Sequence, residues 1–133
     1  EYEQALRLRP DSVKVYCNLG LTFAQLGNLD AAIVSLNRAL SLDPSSAEVR
    51  LNLGIILIRS NRLGEATGHL SQATELRPDS AEAHNALGFA LTSQGKTQEA
   101  ISEYGTALKL NPGYVTAQEN LEKAQCQNGS PQR

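Results

Sequence analysis

Apolar residues recur along this chain at helical spacing, in short blocks separated by polar and turn-forming positions. Leu19, Thr22, Phe23 and Leu26, then Ile33, Leu36 and Leu40, stand three or four residues apart, which places one stripe on each of two successive helices. Gly27, Asn61 and Gly95 fall between such blocks, and these residue types accept the positive φ of a helix C-terminus. Pro10, Pro44, Pro78 and Pro112 close the second block of each pair, because the residue before a proline is pushed out of the α region. Ser12, Ser46 and Ser80 then stand where the next helix needs an N-cap. The pattern predicts seven or eight helices, with breaks near 9–12, 27–29, 43–46, 61–63, 77–80, 95–97 and 111–114, and no strand.

The four prolines are spaced 34 residues apart, and other columns keep the same period. Leu19-Gly20, Leu53-Gly54 and Leu87-Gly88 hold it, as do Ala32, Ala66 and Ala100, and Ala5, Ala39, Ala73 and Ala107. Gly20, Gly54 and Gly88 sit inside helices, where glycine costs roughly 1 kcal/mol against alanine. Small residues kept there in phase predict a close approach of the paired helix, with Ala32, Ala66 and Ala100 opposite. Each unit is then a helical hairpin, A against B, and the hairpins stack.

A period of 34 with Leu-Gly, a small Ala and a closing Pro resembles the tetratricopeptide repeat family. Tyr16 occupies the family's leading aromatic column, with Arg50 and His84 in its place later; Phe23 is followed by Leu57 and Leu91, and Tyr2 and Tyr104 flank Leu36 and Leu70. The resemblance implies an all-α, right-handed α-solenoid and a single domain over 1–126. Residues 1–12 would end a preceding repeat, 13–46, 47–80 and 81–114 form full repeats, 115–126 caps the stack, and 127–133 is a flexible tail. In the cap, Val115, Ala117, Leu121 and Ala124 keep an apolar face, while Gln118, Glu122 and Gln125 make the other polar. Tyr2, Ala5 and Leu8 belong to a half-unit whose A helix is missing, and the sequence has no Met, so the chain is expected to begin inside a longer polypeptide. Their apolar face is expected to favour self-association.

Composition narrows the partners. The chain has 133 residues, 41% hydrophobic and 20% charged, with a net charge of -2. That is enough apolar content for a core, and no electrostatic footprint for nucleic acid or an acidic membrane. No apolar run approaches the roughly 18 residues of a spanning helix, and no charged-then-apolar leader opens the chain. Cys17 and Cys126 form neither a disulfide framework nor a metal spacing, and no compartment is fixed, the cytoplasm being expected. His69 is read on the convex side of a B helix, and His84 between helices, both structural. No phosphate loop, metal cluster or nucleophile–base arrangement appears, so the expectation is no enzyme, no cofactor and no metal.

In the resembled family the A helices line a concave groove that takes a protein or peptide segment. Carried over by column, this assigns Asn18, Leu21, Leu51, Asn52, Ile55, Ile58, Asn85, Phe89 and Asn120 to the groove, within a wider set that includes Cys17, Ala24, Glu82, Ala86 and Thr92. Asn18, Asn52 and Asn120 share one column, broken by Ala86, and a row of amides offers donors and acceptors to an extended backbone. Leu21, Ile55 and Phe89 form a second column, an apolar strip. The family's carboxylate clamp is matched only at Asn52, and Glu82 would repel a carboxylate. The expected function is an interaction scaffold. The alternatives are the substrate-recruiting arm of a larger enzyme, for example a glycosyltransferase-like protein, and a module that self-assembles end to end.

Overall fold

The computed structural model describes the backbone of residues 12–129 and the side chains through Gln127. The described residues form seven α-helices and no strand: α1 Val13–Gln25, α2 Leu29–Leu42, α3 Ala47–Arg59, α4 Leu63–Leu76, α5 Ala81–Ser93, α6 Thr97–Leu110 and α7 Val115–Gly129. The break expected near 9–12 and the face made by Tyr2, Ala5 and Leu8 lie outside the described residues.

Local chemistry sets each boundary. The Ser12, Ser46 and Ser80 hydroxyls accept from the backbone N–H of Val15, Val49 and Ala83 at 3.1–3.3 Å, capping α1, α3 and α5. Each of these helices ends through a residue at positive φ: Gly27 at 84°, Asn61 at 59° and Gly95 at 83°. The following N–H of Asn28, Arg62 and Lys96 reaches back to the carbonyls of Phe23, Leu57 and Leu91 at 2.8–2.9 Å, the Schellman closure. Asn28 also caps α2 through Ala31, a role that Arg62 and Lys96 do not repeat. Between units, the N–H of Ser46, Ser80 and Tyr114 donates to the carbonyls of Asp43, Arg77 and Asn111, which closes a turn with proline at its second position.

The helices pair as α1–α2, α3–α4 and α5–α6, and each B helix then packs on the next A helix. The result is a helical repeat solenoid. Its core is repeated rather than central: Leu36, Leu53, Leu57, Leu70 and Tyr104 are almost wholly buried, with the alanine columns at Ala32, Ala66, Ala100, Ala39, Ala73 and Ala107 filling the space between helices. Among the described residues no helix is long and apolar enough to cross a membrane.

The glycine column meets its partner helix closely, and the nearest atoms there belong to the large B-helix side chain. A Cβ built on Gly20, Gly54 or Gly88 would lie 2.8 Å from Leu36 Cγ, 2.5 Å from Leu70 Cγ or 2.7 Å from Tyr104 Cε1. At Gly20 the Ala32 carbonyl is also near, at 3.2 Å. In α7, Ala117 and Ala124 are buried and Gln118, Glu122 and Gln125 are exposed, but Val115 is exposed as well. This helix runs on to Gly129, past the boundary at 126, because Gln127 and Asn128 are compatible with helix and no breaker precedes Gly129.

Candidate functional site

The helices α1, α3, α5 and α7 approach one another in succession, whereas α2, α4 and α6 do not meet. The set that stays in contact lines the inside of the curve. Three of its members converge on a depression of about 250 Å³, bounded by Ile55 and Ile58 of α3, Glu82, Asn85, Ala86 and Phe89 of α5, and Tyr114, Thr116 and Asn120 at the start of α7. Ala86 is buried, while Phe89 keeps 45% of its surface exposed. The volume falls short of the roughly 300–1,000 Å³ of small-molecule sites. It suits one or two side chains.

The apolar strip is uneven. Leu21, Leu51, Ile55 and Ile58 are half-buried and pack against the core, so part of their surface already serves the fold. Phe89 is more exposed than these neighbours.

The asparagines are arranged laterally. Asn52 Nδ2 donates to Cys17 Sγ at 3.7 Å, and Asn120 Nδ2 donates to Asn85 Oδ1 at 3.1 Å. Both pairs are offset by one repeat plus one residue, so each ties an A helix to the next. Asn85 Nδ2 donates onward to the Tyr114 hydroxyl at 3.4 Å. Only Asn18 in this column has an exposed amide with no side-chain hydrogen bond to the described residues.

Several members of the wider set sit elsewhere. Cys17 and Ala24 are buried. Burial raises the Cys17 thiol pKa, the Asn52 hydrogen bond opposes this, and Glu48 adds to it. Such a thiol is a poor nucleophile. Thr92 turns toward the B helix, its hydroxyl 2.9 Å from the Gly88 carbonyl and 3.1 Å from the Tyr104 hydroxyl.

Tyr114 was not among the expected groove residues, although a signal existed. It occupies the column of the capping serines Ser12, Ser46 and Ser80, so the last A helix exchanges a cap for an aromatic ring. Burial raises its phenol pKa, the Asn85 hydrogen bond opposes this, and the nearby Glu82 carboxylate adds to it.

On the other side of the hairpins the leading aromatic column changes chemistry. Arg38 lies over the Tyr16 ring at 5.7 Å, and both line a depression of about 470 Å³ against α2. Arg50 Nε donates to the Pro44 carbonyl at 3.1 Å, and its Nη1 lies 3.1 Å from His69 Nδ1. Burial and then the Arg50 charge lower the His69 pKa, with Glu65 partly opposing them. In the next unit His84 reaches the Pro78 carbonyl at 3.0 Å and Glu103 at 2.7 Å. Polar side chains here staple loop to hairpin where the first unit has an aromatic ring. His69 is thus half-buried in a structural contact.

Residues 3–114 match the family model described as the cytochrome c-type biogenesis protein H TPR domain. Among solved structures, the crystal structure of MamA is similar at a TM-score of 0.90 and 29% identity, covering 96% of this chain and 75% of that one. The second TPR domain of human RPAP3, solved in complex with the HSP70 peptide SGPTIEEVD, is similar at 0.80 and 25% identity, covering 86% of this chain and 98% of that one. The Arabidopsis OM64 TPR domain shares the fold at 0.81 and 18% identity, covering 84% of this chain and 93% of that one. No curated protein sequence matches.

Proposed function

Because the chain belongs to the tetratricopeptide repeat family, we propose that it is a protein-interaction module that binds a partner segment on its concave face rather than catalysing a reaction. The observation that carries this reading is Phe89, 45% exposed over a depression shared by three successive A helices. An aromatic ring has two rotatable bonds to fix and a large area to remove from water, which suits the centre of a binding hot spot. Ile55, Ile58 and Tyr114 supply the walls, and the half-buried state of the isoleucines means they are already held in place. A wall that is set before binding loses little further entropy on association. The RPAP3 domain in complex with a peptide supports the class of partner. The lateral use of Asn52, Asn85 and Asn120 leaves Asn18, which makes no side-chain hydrogen bond to the described residues, as the amide to meet a partner's backbone.

Peptides selected from a randomised displayed library on the intact chain provide the test. Phe89→Ala is expected to weaken their binding by about 2 kcal/mol or more. Unchanged affinity for every selected peptide would remove the groove from the account.

A further inference from the structure

We propose that the segment held in this groove carries a large apolar side chain next to a lysine or arginine, the cation seated against Glu82. The inference rests on the groove reading and adds the chemistry of the occupant. Glu82 is the only charged side chain that bounds the depression, and it stands beside Phe89, Tyr114 and the α3 isoleucines. It is exposed and unpaired, since the ion pairs among the described residues are Arg62–Glu65 and His84–Glu103. Glu48 repeats it one unit earlier, and the two share a neighbouring depression of about 180 Å³ with Arg77, which pairs with neither.

A carboxylate in no ion pair, at the mouth of an apolar depression, favours a ligand that brings positive charge and apolar bulk together. Its attraction is stronger than at an open surface, because the low-dielectric walls on one side screen it less. The aromatic rings strengthen the same preference. A guanidinium or ammonium drawn to Glu82 enters a depression that Tyr114 and Phe89 also line, and aromatic faces attract cations. An acidic segment such as the SGPTIEEVD peptide of the RPAP3 complex would instead place like charges at Glu48 and Glu82.

The test uses the intact chain and the randomised peptide library, with selected sequences read out and affinities measured by fluorescence anisotropy. Selected peptides are expected to carry Lys or Arg within two positions of an apolar residue, and their affinity to fall with added salt. Glu82→Lys is expected to weaken them about tenfold, as reversing one partly screened pair should. Glu82→Gln, which keeps the shape, is expected to lie between, with circular dichroism confirming that both variants fold. Phe89-dependent peptides with no preference for basic residues, or binding unmoved by Glu82→Lys, would overturn the proposed chemistry and leave the groove standing. A library that yields no Phe89-dependent binder would contradict the groove itself.

Discussion

Tyr104→Ala is expected to destabilise the protein by about 4 kcal/mol, at the level of large-to-small changes of a buried aromatic. The ring is 1% exposed and fills the space that Gly88 leaves open in the opposite helix. Helix α5 cannot close that space by its own side chains, so a cavity would remain where α5 meets α6. Tyr104→Phe separates packing from hydrogen bonding. It removes only the hydroxyl 3.1 Å from Thr92, and Thr92 keeps its bond to the Gly88 carbonyl. The expected cost is about 1 kcal/mol. In a stacked array each unit is stabilised mainly by its neighbours, so hydrogen exchange should speed up first in α5, α6 and α7. Chemical denaturation of the two variants checks both numbers. Equal losses for alanine and phenylalanine would show that the ring's packing is not what holds the third hairpin.

Gly54→Leu is expected to cost about 3 kcal/mol, the upper end of ordinary overpacking. Two effects oppose each other. Leucine improves helix propensity over glycine by up to about 1 kcal/mol. Against that, even a Cβ at this position would lie 2.5 Å from Leu70 Cγ and 2.6 Å from its Cδ2. Leu70 is wholly buried and has no free direction in which to move, so the clash wins. The Leu70→Ala background provides the decisive comparison. There Gly54→Leu refills the vacated volume, and its cost should shrink or change sign, a coupling that a double-mutant cycle reads directly. Additive costs would mean that the two residues do not share the contact.

The fold was largely legible in the sequence because its information is local and repeated. Proline, serine and the Gly27, Asn61 and Gly95 positions each mark a helix end by backbone chemistry, and the 34-residue period multiplies every signal. What crosses between helices was less legible. The glycine column announced a close approach, but spacing along one helix does not say which side chain of the partner comes nearest, and that was Leu36, Leu70 and Tyr104. The asparagine column was visible as a column. Its use was not, because Cys17–Asn52 and Asn85–Asn120 meet only through a one-residue offset set by how each hairpin turns on the last. Tyr114 shows the same limit at the groove. The break in the serine column was visible in the sequence, but the place of the ring beside Asn85 and Glu82 depends on the start of α7.

The central claim is that the concave face around Phe89 is the binding surface. Backbone amide chemical shifts, followed by NMR as a selected peptide is added to the intact chain, test it most directly. Residues of α3, α5 and the first turns of α7 should move together, with Ile55, Ile58 and Phe89 among the largest shifts and α2, α4 and α6 nearly silent. Shifts that cluster on α2, α4 and α6, with Phe89 unmoved, would contradict it.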